Sequence, residues 1–529
     1  MADLIQELLY ETAALNADAP AISVKQATVT FGALQAMVRK IGAGLRRLGL
    51  KRSERVAVYL PKQIETVVAM VGACAAGGVF VPVNPALKPE QTAYILADCD
   101  VRILVTSATR YTGLASALKD CPSLHTIILT DTAGQTPPAS GLEVLAWTEM
   151  LAAAFEPEPR QAIDTDMAAI LYTSGSTGRP KGVVASHRNL VAGAHSVATY
   201  LGIHREDRLL AVLPFSFDYG LNQLMTTLLR GACCVLMDYL FPRDVIKAVA
   251  RERITGLAAV PPLWVQLAQL PWPPEIDEHL RYMTSSGGKM PGSALDALHK
   301  AVPSSRFFVM YGLTEAFRST YLPPEEIERR PGSIGKAIPN AEIMVVREDG
   351  SPCAPHEPGE LVHRGALVTL GYWNDPERTA ERYRPWPGQP RGLPIPELAV
   401  WSGDTVTRDE DGYFYFVGRS DGMIKTSGYR VSPTEVEEVI YASGTAGEVA
   451  VVGVPHPILG QAIVAFITKP QGDAAEPGAV IAACRDKLPN FMVPLEVQYR
   501  DSLPRNPNGK IDRRALAESV SRLFGPPES

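Results

Sequence analysis

The order of apolar and polar positions divides this chain into three stretches. Up to about residue 190, short apolar runs alternate with segments whose apolar residues recur three and four apart. Arg55–Leu60, Ile103–Thr106 and Ile127–Thr130 read as buried strands, with helices between them. Strands spaced by helices predict crossover units on a mainly parallel sheet. Residues 1–16 carry an amphipathic helical pattern and lack the basic leader of a signal peptide. Thr66–Val83 is a long uncharged run. Its Ala and Gly content and Pro82 predict a buried helix ending at Gly77 and Gly78, then a strand over Val79–Val83, not a membrane span. Residues 131–166, with Pro137, Pro138, Pro157 and Pro159, predict a loop-rich connector.

Between about 190 and 330 the alternation repeats, in Leu209–Leu213, Cys234–Met237, Gly256–Val260 and Phe307–Met310, and predicts a second α/β sheet. From 331 to 418 the pattern becomes strand-rich, in Glu342–Arg347, Gly359–Arg364 and Gly412–Val417, and predicts a small β-subdomain. Tyr383–Pro396, rich in proline, reads as a surface loop. Past Gly418 the character changes to a compact α+β unit. It has helices at Pro433–Tyr441 and Ala479–Lys487 and strands at Val449–Val454 and Gln461–Lys469. The expected fold is therefore α/β. A large domain over residues 1–420 holds two mainly parallel sheets and the β-subdomain, and a small α+β domain covers residues 421–529.

Composition narrows the function only by exclusion. The chain has 529 residues, too many for one hydrophobic core. A formal net charge of −6 argues against non-specific nucleic-acid binding. The seven cysteines are odd in number and lack C-x-x-C spacing, so they predict neither a disulfide framework nor a zinc site. Such usage suits a reducing cytoplasm. No peroxisomal tripeptide ends the sequence.

The chemistry concentrates in Leu171–Gly182, LYTSGSTGRPKG. Thr173, Ser174, Ser176 and Thr177 supply hydroxyls, Gly175 and Gly178 permit close approach, and Lys181 supplies a point charge. Met167–Tyr172 reads as the strand before it. Ser186 reads as the N-cap of a helix after it. A glycine-rich loop between strand and helix turns its N–H groups toward an anion such as phosphate. The spacing is not that of a P-loop, because Lys181 follows Arg-Pro and precedes Gly182.

This stretch resembles the phosphate loop of the AMP-forming, adenylate-forming ligases: acyl-CoA synthetases, peptide-synthetase adenylation domains and luciferases. The family's other motifs follow in order over roughly residues 27 to 515: Ser286-Gly-Gly288, Tyr311-Gly-Leu-Thr-Glu315, Trp401-Ser-Gly-Asp404, Gly418–Arg430 and Pro504–Lys510. The resemblance implies ATP and Mg²⁺ as cofactors, and CoA or the phosphopantetheine of a carrier protein as thiol. It places Thr173–Gly178 and Lys181 on the phosphates. Gly287, Gly288, Tyr311 and Gly312 would lie beside the base, with Asp404 and Arg419 on the ribose. Thr314 would bond a phosphate, and Glu315 would hold Mg²⁺, a hard cation that prefers oxygen ligands. Asp421 would be the hinge about which a mobile small domain turns. Lys510 would steer the substrate carboxylate in the first half-reaction. Gly428 would line the thiol tunnel in the second, and Arg430 would approach the nucleotide phosphate or the thiol donor. The implied activity joins a carboxylic acid to a thiol through an acyl-adenylate.

The family's acyl pocket corresponds to Asp218, Tyr219, Asn222, Ala259, Thr284, Ser286, Met310, Arg318 and Ser319. That lining is more polar than a fatty chain favours. Phe217-Asp218 resembles the amino-acid activators, whose aspartate binds an ammonium group. Arg318 could meet a second carboxylate, or Asp218 and Arg318 could pair with each other. A stand-alone enzyme loading a carrier protein, a luciferase-type oxygenase and a non-catalytic nucleotide-binding regulator are the rival readings. No nucleic-acid partner and no membrane span are expected.

Overall fold

The apolar runs before residue 190 assemble into one seven-stranded sheet. In spatial order its strands are Glu143–Ala146, Thr126–Leu129, Val101–Thr106, Arg55–Tyr59, Val79–Pro82, Met167–Thr173 and Lys181–Ser186. Neighbours run parallel except the last two, which form an antiparallel pair. The computed structural model describes residues 2–25, 27–131, 141–152, 160–173, 180–288, 290, 292–419, 422–469, 477–504 and 511–525.

The uncharged run is helix Ile64–Ala75 followed by strand Val79–Pro82, as its composition predicts. Helix Phe31–Arg47 packs against it at close range. A Cβ on Gly72 would lie 2.8 Å from Ile41 Cγ2, and one on Gly42 would lie 3.1 Å from Ala75 Cβ. The small residues thus serve a tight helix–helix contact. Among the described residues no helix is long and apolar enough to cross a membrane. The connector expected over 131–166 contains the strand Glu143–Ala146 and the helix Trp147–Ala152. Both are too short for a periodic signal.

Beyond an antiparallel edge strand, Ala27–Thr30, the second sheet runs through parallel strands Pro20–Val24, Cys233–Leu236, Arg208–Ala211, Gly256–Ala259, Tyr282–Ser285 and Arg306–Tyr311. It continues antiparallel through Thr320–Leu322, Ser333–Ala337, Phe414–Arg419, Leu398–Arg408, Gly359–Gly365 and Ala341–Val346. The expected β-subdomain is therefore hydrogen-bonded onto the end of this sheet. Tyr383–Pro385 pairs with Leu398–Arg408 and Trp386 is buried, so the predicted surface loop starts later than Tyr383.

The small domain is built on a five-stranded sheet. Its strand Val449–His456 shows the period of two plainly. Val449 and Val451 face helices Pro433–Ala442 and Pro477–Lys487, while Ala450, Val452 and Val454 face helix Arg513–Ser519.

Candidate active site at the domain junction

Lys181 is placed by a β-hairpin. Met167–Thr173 and Lys181–Ser186 are antiparallel, with Thr173 opposite Lys181 in register. This corrects the expected strand–loop–helix order, because a six-residue strand intervenes before the helix. Val183, Val184 and Ala185 are all buried, so this strand lacks the alternation that would have marked it. Ser186 caps helix His187–Tyr200 as predicted, its Oγ accepting from the Asn189 N–H at 3.2 Å. The Thr173 hydroxyl is buried without a hydrogen-bond partner among the described residues. Ser174, Gly175, Ser176, Thr177 and Gly178 lie outside the described residues, as do Asp421, Lys510 and the Arg419 side chain.

Glu315 is the electrostatic centre. The Lys181 ammonium donates to its Oε1 at 3.0 Å, and the Tyr372 hydroxyl donates to the same oxygen at 2.6 Å. Lys181 also lies 2.6 Å from the Tyr372 hydroxyl. Arg430, from the small domain, brings its Nη1 to 3.8 Å from Oε2. Burial pushes the Glu315 carboxyl up, but Lys181, Arg430 and Arg382 outweigh it and hold the group well below its usual range. Burial in turn lowers Lys181 to about 8, partly opposed by Glu315. Glu315 Oε2 has no hydrogen-bond partner among the described residues. An ionised, buried oxygen of this kind suits a hard cation held jointly with phosphate oxygens. Tyr372 and Arg382 carry no motif of their own, and the sequence did not mark them.

Glu315 and Arg318 are aimed by one strained turn. The strand Arg306–Tyr311 leads into a single 3-10 turn, Thr314–Ala316, and Phe317 then takes φ 58° and ψ −53°. A non-glycine residue in that region costs about 1–3 kcal/mol. The Phe317 ring is fully buried against Gly193, where a Cβ would lie 2.6 Å from Cδ1. Burying such a ring contributes about 1.5–3 kcal/mol, enough to offset the strain.

The expected acyl-pocket residues separate into two groups. Arg318 Nη1 donates to Asp218 Oδ2 at 2.9 Å, and the Thr314 hydroxyl reaches Asp218 Oδ1 at 3.3 Å. Of the two roles left open for Asp218, the geometry therefore realises the internal pair. Tyr219, Asn222, Thr284, Met310 and Arg318 wall one small cavity of about 20 Å³, room for about one water molecule. Asp218, Ala259, Ser286 and Ser319 are not in its wall. Ser319 Oγ instead meets His363 Nδ1 at 2.9 Å. The sequence reading missed Gln223, Thr226, Gly256 and Tyr282, which also line it.

On the nucleotide side, the Tyr311 hydroxyl donates to Asp404 Oδ2 at 2.5 Å, so two expected ribose-and-base residues come together. Asp404 sits within the eleven-residue strand Leu398–Arg408. Arg419 is its register partner on the adjacent strand.

The small domain enters this site by its hairpin Ile424–Thr426 and Tyr429–Val431. Gly428 has φ +83° and presses on Val260, where a Cβ would lie 2.6 Å from Cγ1. Its carbonyl oxygen lies 3.8 Å from the Cβ position of Gly287, which has φ +91°. Only glycine fits both positions. Beside the hairpin, Gln91 Nε2 donates to Glu435 Oε1 at 3.4 Å across the domain boundary. Leu503 and Ile511, which bracket residues 505–510, pack on the other face of the small sheet with Leu516.

A family model described as AMP-binding enzyme matches residues 9–373, and one described as AMP-binding enzyme C-terminal domain matches residues 435–510. The chain is 28% identical to the long-chain-fatty-acid–CoA ligase of Bacillus subtilis (strain 168), covering 97% of this chain and 94% of that protein. It is 30% identical to a part of a linear gramicidin synthase of Brevibacillus parabrevis, covering 97% of this chain and 10% of that protein. Among solved structures, it matches a double mutant of o-succinylbenzoate CoA synthetase from Bacillus subtilis, bound with its product analogue, at TM-score 0.81. That likeness has 25% identity and covers 96% of this chain and 97% of that one. It matches ATP-bound MatB from Rhodopseudomonas palustris at TM-score 0.69, with 26% identity over 99% of this chain and 100% of that one.

Proposed function

Since the chain belongs to the AMP-binding enzyme family, whose members include adenylate-forming CoA ligases, we propose that it joins a carboxylic acid to CoA in two half-reactions. In the first, a carboxylate oxygen attacks the α-phosphorus of ATP, pyrophosphate leaves, and an acyl-adenylate forms. In the second, the thiolate of CoA attacks the acyl carbon, the thioester forms, and AMP leaves.

The observation that carries this reading is the seating of Gly428 on Val260 and Gly287, with Arg430 beside Glu315. Glycine at both positions keeps side chains away from the place where a slender thiol-bearing arm would pass beside the nucleotide site. The first half-reaction brings two anions together, so its barrier is electrostatic and positional. Lys181 and the residues after Thr173 would hold the departing pyrophosphate. Glu315 would hold Mg²⁺ together with the phosphates, and the metal would neutralise their charge. Asp404 would accept from the ribose hydroxyls beside Tyr311. Lys510 would meet the substrate carboxylate after the small domain turns about Asp421.

A carrier protein as acceptor is the second reading, favoured by the likeness to the gramicidin synthase. Its amino-acid version needs Asp218 for the ammonium group, and Arg318 already holds that carboxylate.

The test separates the half-reactions. Acid-dependent ATP–pyrophosphate exchange is expected, and Lys510→Ala should lower it about 10²–10³-fold. Gly428→Leu should depress CoA-thioester formation more than exchange. Exchange untouched by Lys510→Ala, or a carrier protein preferred over CoA, would overturn the assignment.

A further inference from the structure

Helix Pro89–Asp98 holds the hairpin of Lys181 on both of its strands. Tyr94 and Asp98, four apart on that helix, share one face. On the first strand, the Tyr172 hydroxyl donates to Asp98 Oδ2 at 2.5 Å. On the second, the Tyr94 hydroxyl lies 3.3 Å from the Pro180 carbonyl oxygen and 3.4 Å from Asp98 Oδ1. Its single proton serves either acceptor. Pro180 directly precedes Lys181, and Tyr172 is the register partner of Gly182. The two grips therefore fall on either side of the Thr173–Lys181 pair.

The main chain of Asp98 reaches the other end of the lysine. Its carbonyl accepts from Trp373 Nε1 at 2.9 Å and from Asn374 Nδ2 at 3.2 Å. The Trp373 N–H donates to the Gly182 carbonyl at 2.8 Å. Tyr372, its neighbour in the chain, has its hydroxyl 2.6 Å from the Lys181 ammonium and its ring centre 4.0 Å away. Asp98 thus acts on Lys181 twice: on its backbone through Tyr172 and Tyr94, and on its ammonium through Trp373 and Tyr372. Arg55 steadies the end of the helix. Its Nη2 donates to the Asp100 carbonyl at 3.0 Å, and its guanidinium lies 4.9 Å from the Trp373 ring centre.

A half-buried carboxylate is not needed merely to hold a helix against a hairpin. Apolar side chains of like volume would pack there without desolvating a charge. What the hydrogen bonds add is a fixed distance and direction. A lysine meets phosphate as a point charge on a flexible four-carbon stem, so its effect depends on where the stem starts. We propose that Asp98, Tyr94 and Tyr172 are positioning residues that set Lys181 against the β- and γ-phosphates of ATP. They act through Lys181 and not on the nucleotide itself. This inference rests on the reading of Lys181 as a pyrophosphate ligand and deepens it.

The experiment compares equilibrium binding of ATP, with Mg²⁺, and of AMP to the full chain by calorimetry. AMP lacks the two phosphates that Lys181 would hold, so it reports on the rest of the site. Asp98→Ala should raise the Kd for ATP about 10-fold or more, and Tyr94→Phe and Tyr172→Phe about 3–10-fold each. The Kd for AMP should stay within about twofold in all three, a selectivity that general loosening of the fold would not produce. Asp98→Asn keeps an acceptor for Tyr172 and should recover much of the loss. The phenylalanine variants decide the matter if Asp98→Ala does not fold. Lys181→Ala is the reference and should weaken ATP but not AMP. If it does so while the other variants leave the ratio of the two constants unmoved, or weaken both nucleotides alike, the inference is overturned and the ligase reading stands. If Lys181→Ala leaves the ratio unmoved, the role given to Lys181 falls and this inference with it. A parent protein that binds neither nucleotide overturns the ligase reading as well.

Discussion

Two buried ion pairs, Lys181–Glu315 and Asp218–Arg318, meet at the same stretch of chain around the Phe317 turn and do different work. Their N–O distances are nearly equal, 3.0 and 2.9 Å. They differ in what remains after pairing. Glu315 keeps an oxygen without a hydrogen bond from any described residue and faces a cation from the other domain. Asp218 has both oxygens engaged, and the surplus lies on its partner Arg318, toward the cavity. A buried pair by itself says little, because desolvation consumes most of its Coulombic gain. What separates the two is where the unspent atoms lie: on the carboxylate facing the other domain at Glu315, and on the guanidinium facing the small cavity at Arg318.

The comparison can be broken at either pair. Asp218→Asn should cost about 3–5 kcal/mol in urea unfolding, because it strands the Arg318 charge. A double Asp218→Leu, Arg318→Met replacement should recover most of that stability. A single variant as stable as the parent would remove the scaffold role. Glu315→Gln should instead act on rate, lowering pyrophosphate exchange about 10²–10³-fold. An unchanged exchange rate would place Glu315 outside the chemistry.

A smaller effect concerns the domain contact. Burial raises the Glu435 carboxyl to about 8 from its ordinary 4.5, against an opposing hydrogen bond from Gln91. The docked state thus retains the proton that an undocked Glu435 would lose. Docking should be strongest below pH 4.5 and weaken progressively as pH rises to about 8. Fluorescence transfer between labels on the two domains should follow that slope, and Glu435→Gln should flatten it. The smallest expected change is that of Ser186→Ala, about 1 kcal/mol of stability from a lost helix cap, read by thermal unfolding.

The strands that the sequence marked were those with apolar runs of four or more beside clear helices, such as Val101–Thr106 and Gly256–Ala259. The cap at Ser186 was legible because its chemistry is local. Pro20–Val24 was not, since its partner Cys233–Leu236 lies some two hundred residues away. Glu315 stood out by its motif, yet Tyr372 beside it is set by a bridge to Val183 on the edge of the first sheet, and Arg382 by a hydrogen bond to the Trp401 carbonyl, contacts that no local pattern marks. Asp218 was singled out as an acyl-pocket residue, and its pairing turned on where Arg318 points. That direction is set by the unusual backbone at Phe317, for which no residue type is a signal.

The meeting of Gly428 with Gly287 and Val260 is a fit that bare main chain alone allows. A glycine can vary only by growing, and any growth at Gly428 must push the small domain off Val260. The docked arrangement is thus guarded by a position that cannot change by small steps.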